Sequence, residues 1–364
     1  MNVFNFWIRL LFIIFIVCAF DVKEDPIDHS EMKQVLFVSS YHSEQSWGRK
    51  VLDGVKAQLD TLSYGVDLRM IYLDSKRMMN SEVQKSLLET QLWEMQDQLD
   101  LIIVSDKEAN DALFALDSLL LKKIPIVFCG ITLDAKRMER DHVTGVVCMV
   151  DYEKVFLLGR HLFPEAQKVY VFSDRTMGGQ MHHELARKQL AKYEEQLPII
   201  FSGDSLLSVN DFLAELRDVY PLSFVILTTW QREKQGMFLD PDIYYSIYAK
   251  ECPVPIFTVL DNGLNGGVFG GIITFANQVG TLAVKMAVRI LNGERLENVP
   301  VDTIYPKMAF DDKQLDRWRV DRAELPAGSL RLNKSESFWN MYKNYILAIG
   351  ITFILLLALI IFLV

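Results

Sequence analysis

Residues 35–55 have the sequence VLFVSSYHSEQSWGRKVLDGV. The first part belongs to an apolar run, residues 33–40, that ends in a polar turn, as is typical of a parallel strand buried on both faces. Apolar residues then recur at helical spacing, at Val51, Val55, Leu59 and Leu62. This stretch therefore predicts a strand followed by a helix, the repeating unit of an α/β fold.

The same alternation continues along the chain. Further apolar runs predict strands at residues 66–73, 101–105, 124–130, 143–150, 168–173, 198–202, 224–229 and 254–260. Helical spacing lies between them, for example at residues 108–120 and 276–291, and a linker-like stretch at 134–141 separates two sets of units. Strands alternating with helices indicate parallel sheets flanked by helices. The predicted fold is α/β, with two doubly wound parallel-sheet lobes joined by a hinge.

Composition supports this organisation and excludes one class of partner. The chain has 364 residues, more than one hydrophobic core usually supports, so two lobes are expected. Its formal net charge is −9. An acidic chain has no surplus of Lys and Arg to neutralise phosphates, which argues against nucleic acid as a partner.

The amino-terminal segment is apolar, with one charged residue, Arg9, within residues 4–20. Val17 and Ala19 fit the small-residue rule for a signal peptide cleaved after Ala19. The apolar run is also about long enough for an uncleaved membrane anchor. Residues 1–22 are therefore expected to be a signal peptide or an anchor, and both alternatives place the rest of the chain outside the cytoplasm.

The carboxyl-terminal segment predicts a transmembrane helix at residues 344–364. No charged residue occurs from Tyr345 to Val364, and a helix of about 20 residues spans a bilayer core of about 30 Å. Trp339 and Tyr342 precede it, where aromatic rings favour the membrane interface. Because Val364 lies inside this predicted helix, we expect the chain to be the front part of a longer receptor or a truncated gene product.

Ligand crevices in doubly wound sheets lie at the carboxyl ends of the strands. Hydroxyl, carboxylate, guanidinium and aromatic groups follow the predicted strands, a mixture that suits a small polar or amphipathic ligand. The candidate ligand-binding residues are Ser40, Tyr41, His42, Trp47, Asp106, Gly130, Asp174, Arg175, Thr176, Thr229, Trp230 and Asp261.

Several candidates have a structural alternative. Asp106 precedes a predicted helix, and it and Ser40 can be N-caps instead of ligand contacts. Trp47 can pack at the start of its helix. Arg175 can pair with a neighbouring carboxylate on the surface. The glycines of residues 263–271 lack the features of a phosphate-binding loop and indicate a crossover between the lobes.

Catalytic and metal-binding patterns are not found in the sequence. It has no GxSxG, HExxH, Walker lysine or CxxC motif, so no enzyme activity and no cofactor is predicted. His182 and His183 are adjacent and would point about 100° apart on a helix, which makes a solvated face the favoured interpretation. Cys129, Cys148 and Cys252 lie in or beside predicted strands and are expected to be buried small apolar residues.

Several stretches, in their order, resemble one known family. Residues 35–55, LIIVSDKEA (101–109), IPIVFCGI (124–131), LFPEAQKVYVFSDRTMGG (162–179) and FDDKQLDRWRVDRAELPAGS (310–329) are similar to periplasmic sensor domains related to ABC-transporter substrate-binding proteins. Such domains precede the transmembrane helix of many bacterial histidine kinases and diguanylate cyclases. The resemblance covers about nine-tenths of the chain, from Val35 onward.

The resemblance implies a type I periplasmic-binding fold with ligand held between two lobes, in the periplasm and anchored to the bacterial cytoplasmic membrane. It also implies a kinase or cyclase output after the membrane helix, which this chain does not contain. The expected lobes are 33–142, with about 255–291 returning to it, and 143–254, to which about 292–310 can be added. A juxtamembrane connector is expected at 311–343.

The leading functional hypothesis is the small-molecule sensor of a membrane-bound signalling receptor. A solute-binding protein of an ABC transporter is the first alternative, and an extracytoplasmic hydrolase is the second. The expected partners are a small-molecule ligand and the membrane, and a homodimer is left open.

Overall fold

The computed structural model describes residues 32–116, 121, 124–132, 142–334 and 338–363. The segments 1–22 and 134–141, for which the sequence predicts a signal or anchor and a linker, lie outside the described residues.

The described strands form two separate sheets. In chain order the strands are β1 (Lys33–Ser39), β2 (Val66–Tyr72), β3 (Leu101–Ser105), β4 (Ile126–Ile131), β5 (Val143–Cys148), β6 (Lys168–Ser173), β7 (Ile199–Ser202), β8 (Ser223–Thr229), β9 (Ile256–Leu260), β10 (Gly270–Thr274), β11 (Asp302–Ile304), β12 (Lys307–Asp311) and β13 (Leu330–Leu332). The first sheet has the order β11-β5-β4-β3-β1-β2, and the second has the order β13-β12-β10-β9-β8-β6-β7. Neighbouring strands are parallel except β10 and β12, which are antiparallel.

Helices cover both faces of each sheet. They are α1 (Ser46–Leu59), α2 (Ser81–Met95), α3 (Lys107–Phe114), α4 (Tyr152–Leu162), α5 (Met177–Leu190), α6 (Val209–Arg217), α7 (Pro241–Glu251), α8 (Ala276–Leu291), α9 (Asp312–Arg317) and α10 (Phe338–Leu363). Short 3-10 helices lie at Gln96–Gln98, Ala191–Tyr193, Leu296–Asn298 and Arg322–Glu324.

Burial on both faces explains why the strands are continuous apolar runs. In β1, Val35 and Phe37 pack into one cluster with helices α1 and α8, whereas Leu36 and Val38 pack into another with α2 and α3. The second sheet is covered in the same way, by α4 and α5 on one face and by α6 and α7 on the other. Each sheet with its helices therefore forms one lobe with its own core.

The strand pairings place the lobe boundaries elsewhere than the sequence predicts. Strands β9 and β10 pair in the second sheet, so of the stretch 255–291 only helix α8 packs on the first lobe. Strand β5, predicted to open the second lobe, pairs with β4 in the first sheet. Within 292–310, β11 joins the first sheet and β12 the second. The glycine-rich stretch connects β9 to β10 within one sheet, and the crossover comes after it, at Phe275.

The predicted connector at 311–343 is partly integral to the second lobe. Helix α9 follows β12 directly, and β13 pairs in parallel with β12. Helix α10 begins at Phe338, before the predicted start at 344. Its segment Met341–Leu363 has 23 residues and a mean hydropathy of 3.2, and in the described part of the chain it is the one helix long and apolar enough to cross a membrane.

Two glycines allow helices α1 and α8 to cross closely in the first lobe. A Cβ at Gly54 would lie 2.0 Å from the carbonyl oxygen of Asn277, and a Cβ at Gly280 would lie 2.0 Å from that of Val51. The backbones therefore touch without side chains between them, which joins the α8 segment to the amino-terminal part of its lobe.

We expect Gly54→Ala and Gly280→Ala each to lower the free energy of unfolding by about 2 kcal/mol or more, because the added methyl group forces the two backbones apart. Chemical denaturation of the full chain in detergent measures this. Lys56→Ala, at an exposed position of α1, is the matched control and should change stability little. Equal stabilities of all three variants would contradict the proposed close packing.

Candidate functional site

A cleft lies between the lobes, where the carboxyl ends of strands from both sheets face each other. Its volume is about 610 Å³, including the part open to solvent. The lining residues of the first lobe are Tyr41, Gln45, Trp47, Lys76, Asp106, Lys107, Glu108, Gly130, Thr132 and Cys148. Those of the second lobe and its border are Val150, Gly178, Met181, His182, Thr229, Gln231, Leu260 and Asn262.

Asp106 presents a buried carboxyl group to this cleft. Its Oδ1 accepts a hydrogen bond from Trp47 Nε1 at 2.8 Å, and its Oδ2 accepts one from Ser105 Oγ at 2.7 Å. Although Asp106 directly precedes helix α3, its side chain caps no helical N–H, and its backbone is left-handed, with φ of +69°. The structure thus gives the carboxyl group two side-chain partners and no capping role.

Gly130 makes room for that carboxyl group. Its backbone is also left-handed, with φ of +72°, and a Cβ there would lie 2.6 Å from Asp106 Oδ1. Any side chain at position 130 would therefore displace Asp106.

Burial decides the protonation of Asp106. Removal from water raises its pKa to about 7, and the nearby charge of Glu108 acts in the same direction. The hydrogen bonds from Ser105 and Trp47 oppose this rise. Near neutral pH the group can therefore be either a proton donor or an anion.

A buried ion pair lies beside Asp106 in the cleft. Lys76 and Glu108 are 3% and 6% exposed, and Lys76 Nζ lies 4.0 Å from Glu108 Oε1. The ammonium group also lies 5.0 Å from the centre of the Tyr41 ring and donates to Thr176 Oγ1 of the second lobe at 3.3 Å. Because each charge has an opposite partner, the pair can remain in the cleft without a charged ligand.

The second lobe contributes an amide group. Asn262 follows β9 and is 1% exposed, and among the described residues neither its Nδ2 nor its Oδ1 has a hydrogen-bond partner. A buried amide without partners costs free energy, so this side chain is suited to bind a group that both donates and accepts.

Direct contacts hold the lobes together at the edge of the cleft. Gln45 Nε2 donates to Gln231 Oε1 at 3.2 Å, and Ser46 Oγ donates to Asp242 Oδ1 at 2.8 Å. Arg232 of the second lobe donates to the backbone carbonyl of Lys76 in the first. The lobes are therefore closed on each other in this structure.

Five predicted residues line the cleft together: Tyr41, Trp47, Asp106, Gly130 and Thr229. The other seven do not line it.

The first group of these seven supports the backbone near the cleft. Ser40 Oγ donates to Ser105 O and accepts from Ala109 N, which fixes the start of helix α3. Asp174 accepts from Thr176 N and from Gln231 N, at 3.0 and 2.7 Å. Thr176 is the N-cap of α5. These polar side chains are satisfied by the protein itself.

The remaining four lie in other surroundings. His42 bonds to Asp74 at the rim, at 3.1 Å. Arg175 lines a separate surface pocket. Trp230 stacks in the core on Phe212, with ring centres 3.9 Å apart. Asp261 lies 3.6 Å from Lys50 Nζ, outside the cleft lining.

The histidine pair differs from its predicted solvated face. His182 and His183 are 6% and 8% exposed, because α5 packs this face against the lobe. The ring of His182 bonds to Tyr152 Oη at 2.8 Å, and burial lowers its pKa to about 4. Among the described residues no group of three His, Cys, Asp or Glu side chains could hold a metal ion. His182 is thus a neutral member of the cleft wall.

Sequence reasoning missed Gln45, Lys76, Glu108, Gln231 and Asn262. Gln45 lies three residues beyond His42, and Gln231 lies one residue beyond Trp230. Glu108 lies in the first turn of α3. All of these residues except Gln45 lie within five residues of the end of a strand, so strand-end position alone indicates Lys76, Glu108, Gln231 and Asn262. Lys76 belongs to the loop after β2, and no residue of that loop is among the predicted ligand-binding residues.

No protein-family model and no curated protein matches this sequence, whereas solved structures resemble its fold. A conserved domain protein from Vibrio cholerae has a TM-score of 0.64 at 14% identity, covering 82% of this chain and 100% of that chain. The ABC domain in complex with L-Trp from Streptococcus pneumonia has a TM-score of 0.61 at 14% identity, covering 82% and 99%. An ABC transporter solute binding protein from Bacillus halodurans with bound myo-inositol has a TM-score of 0.53 at 13% identity, covering 81% and 99%.

The fold is that of the periplasmic binding proteins. The predicted two-lobed α/β architecture is therefore confirmed. In open α/β sheets the ligand crevice lies at the carboxyl ends of the strands, which is where the cleft of this chain lies.

Asp106 predicts a specific pH dependence. Its pKa in the folded protein, about 7, exceeds the ordinary value of 3.8. Between these values the folded protein keeps a proton that the unfolded chain releases, so stability falls as the pH rises through this window. We expect Asp106→Asn to remove a pH-dependent loss on the order of 4 kcal/mol between pH 4 and 7.

Denaturation of the full chain in detergent at pH 4 and pH 8 measures this difference. Asp218→Asn, an exposed carboxylate on the second lobe, is the matched control and should keep the pH dependence of the parent. If Asp106→Asn also kept it, a buried carboxyl group with a raised pKa would be excluded.

Proposed function

We propose that this chain is an extracytoplasmic module that binds a small molecule between its lobes and signals across a membrane as part of a receptor. The observation that carries this proposal is the buried amide of Asn262 in the interlobe cleft. A polar side chain in such a place is stabilised by a ligand that restores its hydrogen bonds.

The cleft lining favours a compact ligand with hydroxyl or amide groups. Asn262, Thr229 and Gln231 offer donors and acceptors on one wall. Trp47 and Met181 offer apolar contact area. Since Lys76 and Glu108 neutralise each other, a ligand without net charge fits the cleft best. The similar structures contain L-Trp in one case and myo-inositol in another, so ligands of this size occur in the same fold.

The apolar helix α10 favours a receptor function over delivery of a solute to a transporter. Strand β13 is built into the second sheet, and helix α10 begins five residues after Asn333. A change in lobe position can therefore reach this helix over a short path. In the proposed receptor, α10 crosses the membrane, the lobes lie on the outer side, and an output domain such as a histidine kinase or diguanylate cyclase lies on the inner side.

Delivery of a solute to an ABC transporter is the second candidate function. It is supported by the names of the similar structures, several of which are solute-binding proteins. An apolar helix at the carboxyl end of the second lobe would restrict docking onto a permease, which is the reason to prefer the receptor.

A thermal-shift screen of uncharged and zwitterionic metabolites, with the full chain in lipid nanodiscs, tests the proposal. We expect at least one stabilising compound. For that compound, Asn262→Ala should weaken binding by roughly tenfold or more in calorimetry, because a bound polar group loses its partner. Asn298→Ala, at an exposed amide, is the matched control. The absence of any stabilising compound, or equal affinities of the two variants, would contradict the proposal.

A further inference from the structure

The stretch 261–268 between β9 and β10, called here the coupling segment, contacts the first lobe as well as the cleft. Asp261 Oδ2 lies 3.6 Å from Nζ of Lys50, on helix α1, and the same ammonium group donates to the Asp261 carbonyl at 3.3 Å. Asp261 Oδ2 also accepts from the backbone N–H of Ala276, the first residue of α8, at 3.4 Å. The next residue, Asn262, lines the cleft. One end of the segment is therefore fixed to the first lobe and lies beside the proposed ligand.

The other end of the coupling segment contacts the strand that precedes the apolar helix. Asn333, directly after β13, donates through Nδ2 to the Leu264 carbonyl at 3.3 Å and to Asp311 Oδ2 at 2.8 Å. Leu332 packs against the cluster that contains Leu264. Two residues of the coupling segment, 262 and 264, thus connect the cleft with the end of β13.

A surface crevice shows that this junction also includes the first lobe. It is lined by Lys50 and Asn277 of the first lobe, by Phe275 at a crossover, and by Leu264 and Leu332 of the second lobe. Because its walls belong to both lobes, a rotation of one lobe against the other changes the distance between them. The end of β13 therefore lies where a rotation of one lobe against the other changes its contacts.

A separate anchor holds the rest of β13 to its own lobe. Arg331 forms a bidentate ion pair with the buried carboxylate of Asp312, at 2.6 and 2.7 Å. Because of this ion pair, β13 moves together with the second lobe. The bond from Asn333 to the Leu264 carbonyl differs, because Leu264 belongs to the segment that Lys50 of the first lobe holds.

We propose that the coupling segment, through the bond between Leu264 and Asn333, transmits lobe closure to the residues that lead into the apolar helix. This inference rests on the proposed function, since it names how that cleft would regulate a receptor. Closure draws Lys50 and Asp261 together, shifts Leu264, and orders residues 330–334. With the lobes apart, the same residues are held only within the second lobe, by the Arg331 anchor, by the pairing of β13 with β12 and by the bond from Asn333 to Asp311.

A cross-linked form of the full chain tests this without a ligand. Ser46→Cys and Asp242→Cys face each other across the cleft edge and can be bridged by a short, reducible bis-methanethiosulfonate reagent, in a Cys18→Ser background. Cys129, Cys148 and Cys252 are buried. Hydrogen exchange in nanodiscs is then measured by mass spectrometry before and after reduction. We expect the bridge to slow exchange of the amides at 330–334 by roughly threefold or more.

Asn333→Gly keeps the left-handed backbone, φ +51°, and removes the amide. In this variant the bridge should still protect residues 41–48 and 229–233 but no longer residues 330–334. Asn333→Asp, which cannot donate to Leu264, should behave in the same way. Arg319→Gly, at another left-handed position, with φ of +56°, is the matched control and should retain the effect.

Two outcomes would overturn the inference: residues 330–334 that do not respond to the bridge in the parent, or that respond equally in Asn333→Gly. Neither depends on ligand binding, so a failed ligand screen and a failed coupling test remain distinguishable. The single variant Ser46→Cys, treated with the same reagent, shows the effect of the reagent without a bridge.

Discussion

The chain passes between the two lobes at residues 149–151, at Phe275 and at residues 305–306. These passages are hydrogen-bonded to one another: Met149 N–H donates to the Ile304 carbonyl at 3.0 Å, and Thr274 Oγ1 donates to the Met149 carbonyl at 3.2 Å. Covalent links held side by side leave rotation about their common line as the motion of lowest cost. The cleft, the closing contacts and the junction at Leu332 all lie around this hinge, so one rotation changes them together.

Closure of the lobes buries the charged groups of the cleft, and this limits the stability of the closed state without a bound ligand. Lys76 and Glu108 lose water when the second lobe covers them, and their mutual attraction offsets that loss only in part. Asp106 avoids part of the cost by taking up a proton. The amide of Asn262 has no such option, since it cannot change its charge. A molecule that binds this amide only in the closed form shifts the equilibrium between the open and closed forms towards closure. The size of the shift equals the difference between its binding free energies for the two forms.

The sequence was sufficient for strands β1 to β9 and for part of the cleft, because both follow from local patterns. Strands β10 to β13 were not predicted, because each has five residues or fewer and β10 begins with two glycines. Short apolar runs such as 101–105, bounded by turn residues, are typical of strands buried on two faces, and parallel strand ends meet at one edge. Pairing is not a local property, which is why β5 was assigned to the wrong lobe. Side-chain direction is not local either: Ser40 and Tyr41 are adjacent, yet one fixes the start of α3 and the other lines the cleft. The buried histidines were missed for the same reason.

The coupling segment is short enough to transmit a displacement, and its packing explains why it would not absorb one. Gly263 has φ of +77°, and a Cβ there would lie 2.2 Å from the ring of Tyr245, so the backbone between Asn262 and Leu264 is pressed against a buried side chain. Glycine at position 263 therefore allows the backbone to lie close to the Tyr245 ring, and the coupling segment has little free space beside that ring. A shift of Asn262 must then move Leu264 or displace Tyr245, and displacing a fully buried ring costs more than stretching one hydrogen bond.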